Sequence, residues 1–377
     1  MKFCLAYASV ALLLCPALSI AAGAPGSLGA AHGITQEGGN VLDVEFTRQL
    51  TLREDVRDYQ FSPLGEKIAY VAYVEDHGEQ YFSINIVDTW KHDPKVTILA
   101  KQLLPRDVAD GRAAPLLDIV GWAGDDRYLL FRRTLADSVD KEEASAPRIE
   151  IADLNADPID PQPIPIDMQT AAGVLSGLDY AWSPSHDRLL VSQSLFFTKE
   201  HPTRRVRNYF LFDPVAGKAS SLNIDPSDSV LGWMDGAHLL MRHKVKGEKP
   251  SDRLYDLASG SVSDFIRPVW WGKFPALEMG PQHIVRVDVD PKDPLLTLDI
   301  ASNRLPATIG VDAATACSVW VKHDLGNGKA EMLPVGVAPG ADNPQAQWAP
   351  TGKAVAFVAH GDLFLTGLIK HPAKPQE

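Results

Sequence analysis

The apolar positions of this chain recur with a period of two, in short runs, and the polar positions between them mark turns. Leu42, Val44 and Phe46 alternate with polar residues, and Leu50 and Leu52 resume the phase, which predicts a half-buried strand. Residues 58–71 read as strand, tight turn, strand. In the turn Ser62-Pro63-Leu64-Gly65, Pro63 fixes its own φ and Gly65 accepts a positive one. Residues 81–88 and 95–99 supply a third and a fourth strand.

The unit repeats. An aromatic residue, a small-residue turn and an apolar strand recur at 121–131 around Trp122, at 180–191 around Trp182, at 232–241 around Trp233 and at 347–358 around Trp348. A weaker copy, without an aromatic anchor, occupies 279–287. Several copies are followed by a strand that ends in an acidic or small turn, at 211–214, 254–257 and 298–301. Anchors at Phe61, Trp122, Trp182, Trp233 and Trp348 are too far apart for helical or Greek-key repeats. They suit four-stranded antiparallel blades set radially, with each large ring filling the wedge between neighbouring sheets. The predicted fold is therefore all-β, a β-propeller over 41–370. The spacing predicts seven blades, with six as the other count it admits. The undecided stretch is 300–346, where 317–321 and 332–337 pair but no anchor precedes them. An open ring would expose two strand edges. The strand at 42–50 is accordingly expected to close the circle against 362–365.

The segments outside the repeats have other signatures. Lys2, an apolar run at 3–14, Pro16 and the small residues Ala17, Ser19, Ala21 and Ala22 follow the order of a cleavable secretory signal over 1–22. The run is short for a membrane span. Leu14 is too bulky to precede a lipidated Cys15. Residues 23–40 are Gly- and Ala-rich and read as a flexible lead-in, and 371–377 as a tail. The expected location is outside the cytoplasm, periplasmic or secreted. Removal of the signal would leave Cys317 as the one cysteine, unable to form an internal disulfide and read as a buried thiol on a strand.

Composition narrows the partners. Lys and Arg total 36 against 48 Asp and Glu, a formal net charge of -12. Such a surface repels phosphate backbones, so no nucleic-acid partner is expected, and no membrane span.

The turn Trp-Ser-Pro followed by a basic residue and an apolar strand resembles the repeats of TolB-like, WD40-like propellers. It also resembles the N-terminal propellers of the prolyl oligopeptidase family of serine peptidases. Here the motif runs from Trp182-Ser183-Pro184 through Arg188 and from Phe61-Ser62-Pro63 through Lys67. The copy from Trp348-Ala349-Pro350 through Lys353 is one residue shorter, which predicts a different turn. In those peptidases the propeller is followed by an α/β-hydrolase domain. No Gly-x-Ser-x-Gly nucleophile elbow occurs in this sequence, so the resemblance implies the propeller without its hydrolase half.

Other chemistry is sparse. His238 and His243 are five apart, which on a strand places them on opposite faces, and no zinc site is expected. Asp288, Asp290 and Asp293 lie in one turn, but Lys292 occupies an alternate-ligand position, so the segment reads as a solvated turn and no metal or cofactor is expected. Two candidate binding features stand out. Arg204, Arg205 and Arg207 belong to the one basic cluster, 199–207, between two strands of the third blade, where arginine forks suit carboxylates. Trp270 and Trp271 are adjacent, so on a strand they cannot enter the same core, which leaves one to face solvent, the central channel or a partner. The function expected from the sequence is a non-catalytic exported propeller that binds a peptide or protein, with a separately encoded α/β-hydrolase as one partner. No catalytic residue is assigned. Two alternatives come from other classes: a propeller glycosidase or lyase with acids at the central funnel, and a TolB-like envelope scaffold.

Overall fold

Each blade begins with a strand that ends in a large ring, followed by a turn too tight for anything but an antiparallel return. The computed structural model describes residues 34–35, 40–52, 54–91, 93–104, 117–134, 147–166, 173–197, 205–266, 289–301, 316–326, 329–339, 345–359 and 361–372. Every regular element among them is a strand. The expected signal segment 1–22, the tail after 372 and the weak copy at 279–287 lie outside the described residues.

The first blade contains Asp55–Phe61, Lys67–Asp76, Glu79–Asp88 and Val96–Leu103, from the channel outward. The second contains Leu117–Ala123, Tyr128–Arg133, Arg148–Asp153 and Gln162–Pro163, and the third Gly173–Trp182, Leu189–Phe197, Arg205–Asp213 and Lys218–Leu222. The fourth contains Asp228–Trp233, His238–His243, Ser251–Asp256 and Val262–Phe265, and the fifth Val289–Asp290, Asp293–Ala301, Ala316–Gly326 and Lys329–Pro339. In the sixth, Ala346–Trp348, Ala354–Ala359 and Asp362–Pro372 are joined by the N-terminal strand Asn40–Gln49, and Ile34–Thr35 adds a fifth strand at its edge. The described residues thus form six sheets of a β-propeller. The strands at 317–321 and 332–337 do pair, with Val321 opposite Leu333, but they join Asp293–Ala301 in one sheet.

Ring closure follows the hydrophobic pattern. Asn40–Gln49 runs antiparallel to Asp362–Pro372, from Asn40 opposite Pro372 to Gln49 opposite Phe364. Leu42 is buried on the core side of this pairing, with Val44 packed beside it. The link that carries the chain into the first blade is fastened by one carboxylate. Asp362 accepts from Gln49 Nε2 (2.9 Å), Thr51 Oγ1 (3.1 Å) and the Glu54 amide (3.1 Å). Leu50 N and Val56 N donate to Leu363 and Gly361 carbonyls.

Burial beside Asp362 has a price at Glu54. Desolvation raises its carboxyl above the ordinary range, Tyr70 opposes the shift and Asp362 adds to it. Desolvation also raises the Tyr70 phenol, with Glu54 and Asp362 adding. A carboxyl whose folded pKa is raised contributes its full stability below the ordinary Glu pKa and loses it as pH rises through the folded value. Glu54→Gln should therefore melt closer to, or above, the parent at pH 7.5 than it does at pH 4. Paired thermal melts at the two pH values check this, and a pH-independent difference would contradict it.

The anchors behave as predicted. Trp182 joins a core with Val120 and Leu130 of the second blade, and Trp233 one with Ala181 and Leu190 of the third. Trp122 packs with Ala69 and Phe82 of the first blade, Trp348 with Val319 and Val335 of the fifth, and Phe61 with Ala354 and Leu365 of the sixth. Each ring is thus buried against the preceding blade. Two of them add a hydrogen bond across the seam: Trp182 Nε1 to Val120 O at 2.9 Å and Trp233 Nε1 to Ala181 O at 3.0 Å. Gly121 is required by the first of these. Its φ is +142°, and a Cβ there would lie 2.6 Å from Trp182 Nε1.

The turn expected to differ does not. Ser62 N bonds Lys67 O and Gly65 N bonds Ser62 O; likewise Ala349 N bonds Ala354 O and Gly352 N bonds Ala349 O. The turns have equal length, and in the last copy the basic residue simply stands one place earlier, at Lys353. At the matching position of the third blade His186 takes φ +56°, where the other two use glycine. The acidic turn near 290 is not solvated throughout: Asp290 is 2 % exposed and packs against Gly352 of the sixth blade.

Candidate binding rim

The alternation of strand direction gives the ring two unlike rims. At one, inner strands end and second strands begin, through short turns such as Phe61 to Lys67 and Ala123 to Tyr128. Polar clamps tie these turns across blades: Ser62 Oγ and Leu64 N donate to Asp126, and Arg188 Nη2 donates to Gly236 O. At the other rim, inner strands begin and second strands end. The long links leave from there: Leu103 to Leu117, Arg133 to Arg148, Phe265 to Val289 and Ala301 to Ala316. Long links on a rigid scaffold are where binding residues collect.

Several inner strands carry a charged residue near this link rim. Asp58, Asp118 and Asp179 stand at one level of three successive inner strands, opposite Val71, Arg132 and Ser192 of the second strands. In the fourth blade Ser229 has that level, opposite Arg242. Arg132 places both Nε (2.9 Å) and Nη2 (2.5 Å) on Asp118 Oδ2, so Asp118 Oδ1 keeps no bond to a described residue. The Tyr180 ring is 3 % exposed, wedged among Leu178, Trp182 and Val191. Its hydroxyl makes no hydrogen bond to a described residue. Burial pushes Tyr180 up to about 12; Arg132 opposes the shift, and Asp118 and Asp58 add to it. The phenol is thus neutral at physiological pH, in the field of two carboxylates and a guanidinium.

Two further networks flank this group. Between the first and second blades, buried Glu150 receives Arg133 Nε (2.9 Å) and Nη2 (3.1 Å) and Arg148 Nε (2.6 Å), while Arg133 Nη1 reaches Lys101 O. At the start of the fourth blade, His243 Nδ1 lies 2.8 Å from Asp228 Oδ1 and 3.3 Å from Ser227 Oγ. This is not a hydrolytic triad. A relay needs the carboxylate on one ring nitrogen and the hydroxyl on the other. Here both meet the same nitrogen, and Ser227 Oγ donates to Asp225 Oδ1.

The residues singled out in the sequence fall differently. Trp270, Trp271 and Arg204 lie outside the described residues. Arg205 and Arg207 are not in the loop but in the third strand of the third blade, opposite Phe196 and Ser194, at the link rim, and Arg207 is exposed. His238 and His243 stand at opposite ends of one strand, His238 at the turn rim with Asp235 and Asp256. No group of three metal-ligating side chains occurs among the described residues. No helix there is long and apolar enough to cross a membrane. The level shared by Asp58, Asp118 and Asp179 was not read from the sequence. An acid three or four residues before Phe61, Trp122 and Trp182 is the signal that carries it.

Fold and rim together define a β-propeller closed by its N-terminal strand, with one rim tied down and the other built out. No family model matches the sequence, and no curated protein matches it. Among solved structures it is similar to TolB from Acinetobacter baumannii, with 14 % identity over 81 % of this chain and 64 % of that one, at a TM-score of 0.30. A prolyl endopeptidase has 10 % identity over 86 % of this chain and 43 % of that one, at 0.38. The acylaminoacyl peptidase of Pyrococcus horikoshii has 11 % identity over 81 % of this chain and 42 % of that one, at 0.36. The chain therefore spans less than two thirds of each of these proteins. What defines the propeller in this chain is its own strand order and ring closure.

Proposed function

We propose that the chain is a non-catalytic, exported propeller that binds a peptide or a protein at its link rim. The observation that supports this reading most is the contrast between the rims. One is drawn tight by short turns and clamps. The other combines long links with charged inner positions held by packing rather than by flexible stems. A rigid ring with a funnel at one end is a binding geometry. Arg207 at the same rim fits the reading as a contact for a partner's carboxylate.

Immobilised protein without residues 1–22 should retain a peptide or protein ligand, and substitutions at the link rim should release it while those at the turn rim do not. A serine-directed phosphonate should leave the protein unlabelled. Covalent labelling, or hydrolysis of glycosidic substrates, would overturn the reading. Stable recovery of one folded protein would favour an envelope scaffold, or a separately encoded α/β-hydrolase if the protein recovered is one. Export is tested by fractionation of cells that express the chain with and without residues 1–22.

A further inference from the structure

We infer that the link rim, at the seam between the first and second blades, receives a carboxylate of the bound peptide on the outer end of the Arg148 guanidinium. The inference rests on the peptide-binding reading above and names the ligand chemistry of the same rim.

The sequence places unequal charge at this point. Arg133 ends the second strand of the second blade, Arg148 begins the third, and the two stand directly opposite each other. Like charges so placed destabilise a sheet. Glu150, two residues beyond Arg148 and so on the same face, lies between them. It is 3 % exposed and fully engaged: Oε1 accepts from Arg133 Nε (2.9 Å) and Arg148 Nε (2.6 Å), and Oε2 from Arg133 Nη2 (3.1 Å). Arg133 is saturated as well. Its Nη1 donates to Lys101 O (3.0 Å) and Gln102 Oε1 (3.4 Å) of the first blade, and its side chain is 15 % exposed. Arg148 is held by Nε alone. Its Nη1 and Nη2 meet no described residue, and its side chain is 42 % exposed. Two guanidiniums on one carboxylate leave one positive charge, and it reaches solvent at Arg148. No second carboxylate among the described residues pairs with either arginine. Arg127 of the same blade shows the contrast: at the turn rim its Nε (3.1 Å) and Nη2 (2.7 Å) take the two oxygens of Asp153. Because Glu150 fixes Arg148 by its inner edge, the fork of Nη1 and Nη2 is left with little to order, and a carboxylate can accept from both at once. An ammonium or guanidinium ligand would meet a like charge there.

The source of the carboxylate is either a peptide C-terminus or an Asp or Glu side chain. A set of fluorescent heptapeptides separates them: free or amidated at the C-terminus, with Asp, Glu or Gln at each position. Binding by anisotropy to the protein without residues 1–22 should weaken roughly ten-fold or more when the recognised carboxylate is removed, the range of a charge-assisted hydrogen bond. Arg148→Gln leaves the Arg133–Glu150 pair in place and should bind acidic and neutral peptides nearly equally. Arg148→Lys keeps the charge without the fork and should keep only part of the discrimination. Arg127→Gln, at the turn rim, should leave it unchanged. Binding to the parent that depends on no carboxylate, or discrimination that survives Arg148→Gln intact, would overturn this inference and leave the peptide-binding reading standing. Failure of every heptapeptide to bind the parent would overturn both.

Discussion

Deletion of residues 34–49 should leave a protein without a cooperative thermal transition. The strand Asn40–Gln49 is the fourth strand of the last blade, with Ile34–Thr35 at its edge, yet it lies at the other end of the chain from its partner Asp362–Pro372. It contributes buried Leu42 and half-buried Val44 and Phe46, each worth about 1.5–3 kcal/mol when fully covered. The bonds of its ladder and the bond from Gln49 to Asp362 add about 1 kcal/mol each. The sum is of the order of a whole domain's stability, about 5–15 kcal/mol. The loss also bares the edge of Asp362–Pro372, so association through the exposed edge should accompany it. Circular dichroism melts and size-exclusion chromatography check the result. A sharp transition at the parent temperature would show that the N-terminal strand is dispensable.

Trp182→Ala is the point substitution with the largest expected cost, about 3–5 kcal/mol, because it opens a cavity in the core shared by the second and third blades. Trp182→Phe keeps most of the packing but leaves Val120 O without its donor, for about 1–2 kcal/mol. Gly121→Ala supplies a sharper check. In the parent it drives a Cβ to 2.6 Å from Trp182 Nε1 at a φ of +142°. With alanine at 182 that clash is gone, and only the backbone strain remains. The double variant should therefore be more stable than the sum of the singles implies. Chemical denaturation of the four proteins measures the coupling. Strict additivity would mean that Trp182 and Gly121 do not meet across the seam.

How far the sequence could be read follows from the same residues. Phe61, Trp122, Trp182, Trp233 and Trp348 were legible because packing requires a large ring at one point of each inner strand, and the turn after it is local. Ring closure was legible because Leu42, Val44 and Phe46 need a covered face and no neighbouring strand supplies one. The fifth blade was not, because its inner strand ends in Asp290 rather than in an aromatic residue. The common level of Asp58, Asp118 and Asp179 was hidden by β-bulges. The inner strands shift register between Val56 and Asp58, between Ile119 and Gly121 and between Leu175 and Gly177. A bulge changes the spacing from anchor to acid by one residue, so Asp58 stands three before Phe61 and Asp118 four before Trp122. Spacing alone misses that equivalence, and strand pairing restores it.

Ring closure by the N-terminal strand is tested most directly by a cross-link. Asp43 and Ile369 are opposite each other in the closing pair, and both are solvent-accessible. In a Cys317→Ala background without residues 1–22, Asp43→Cys with Ile369→Cys should oxidise to an intramolecular disulfide, run faster than its reduced form on a denaturing gel and melt higher when oxidised. The pair Asp43→Cys with Lys353→Cys serves as the control, because Lys353 lies in the turn before Ala354–Ala359 and is not paired with Asn40–Gln49. No cross-link at 43 and 369 in the folded protein, or equal cross-linking of the control, would contradict the closed ring.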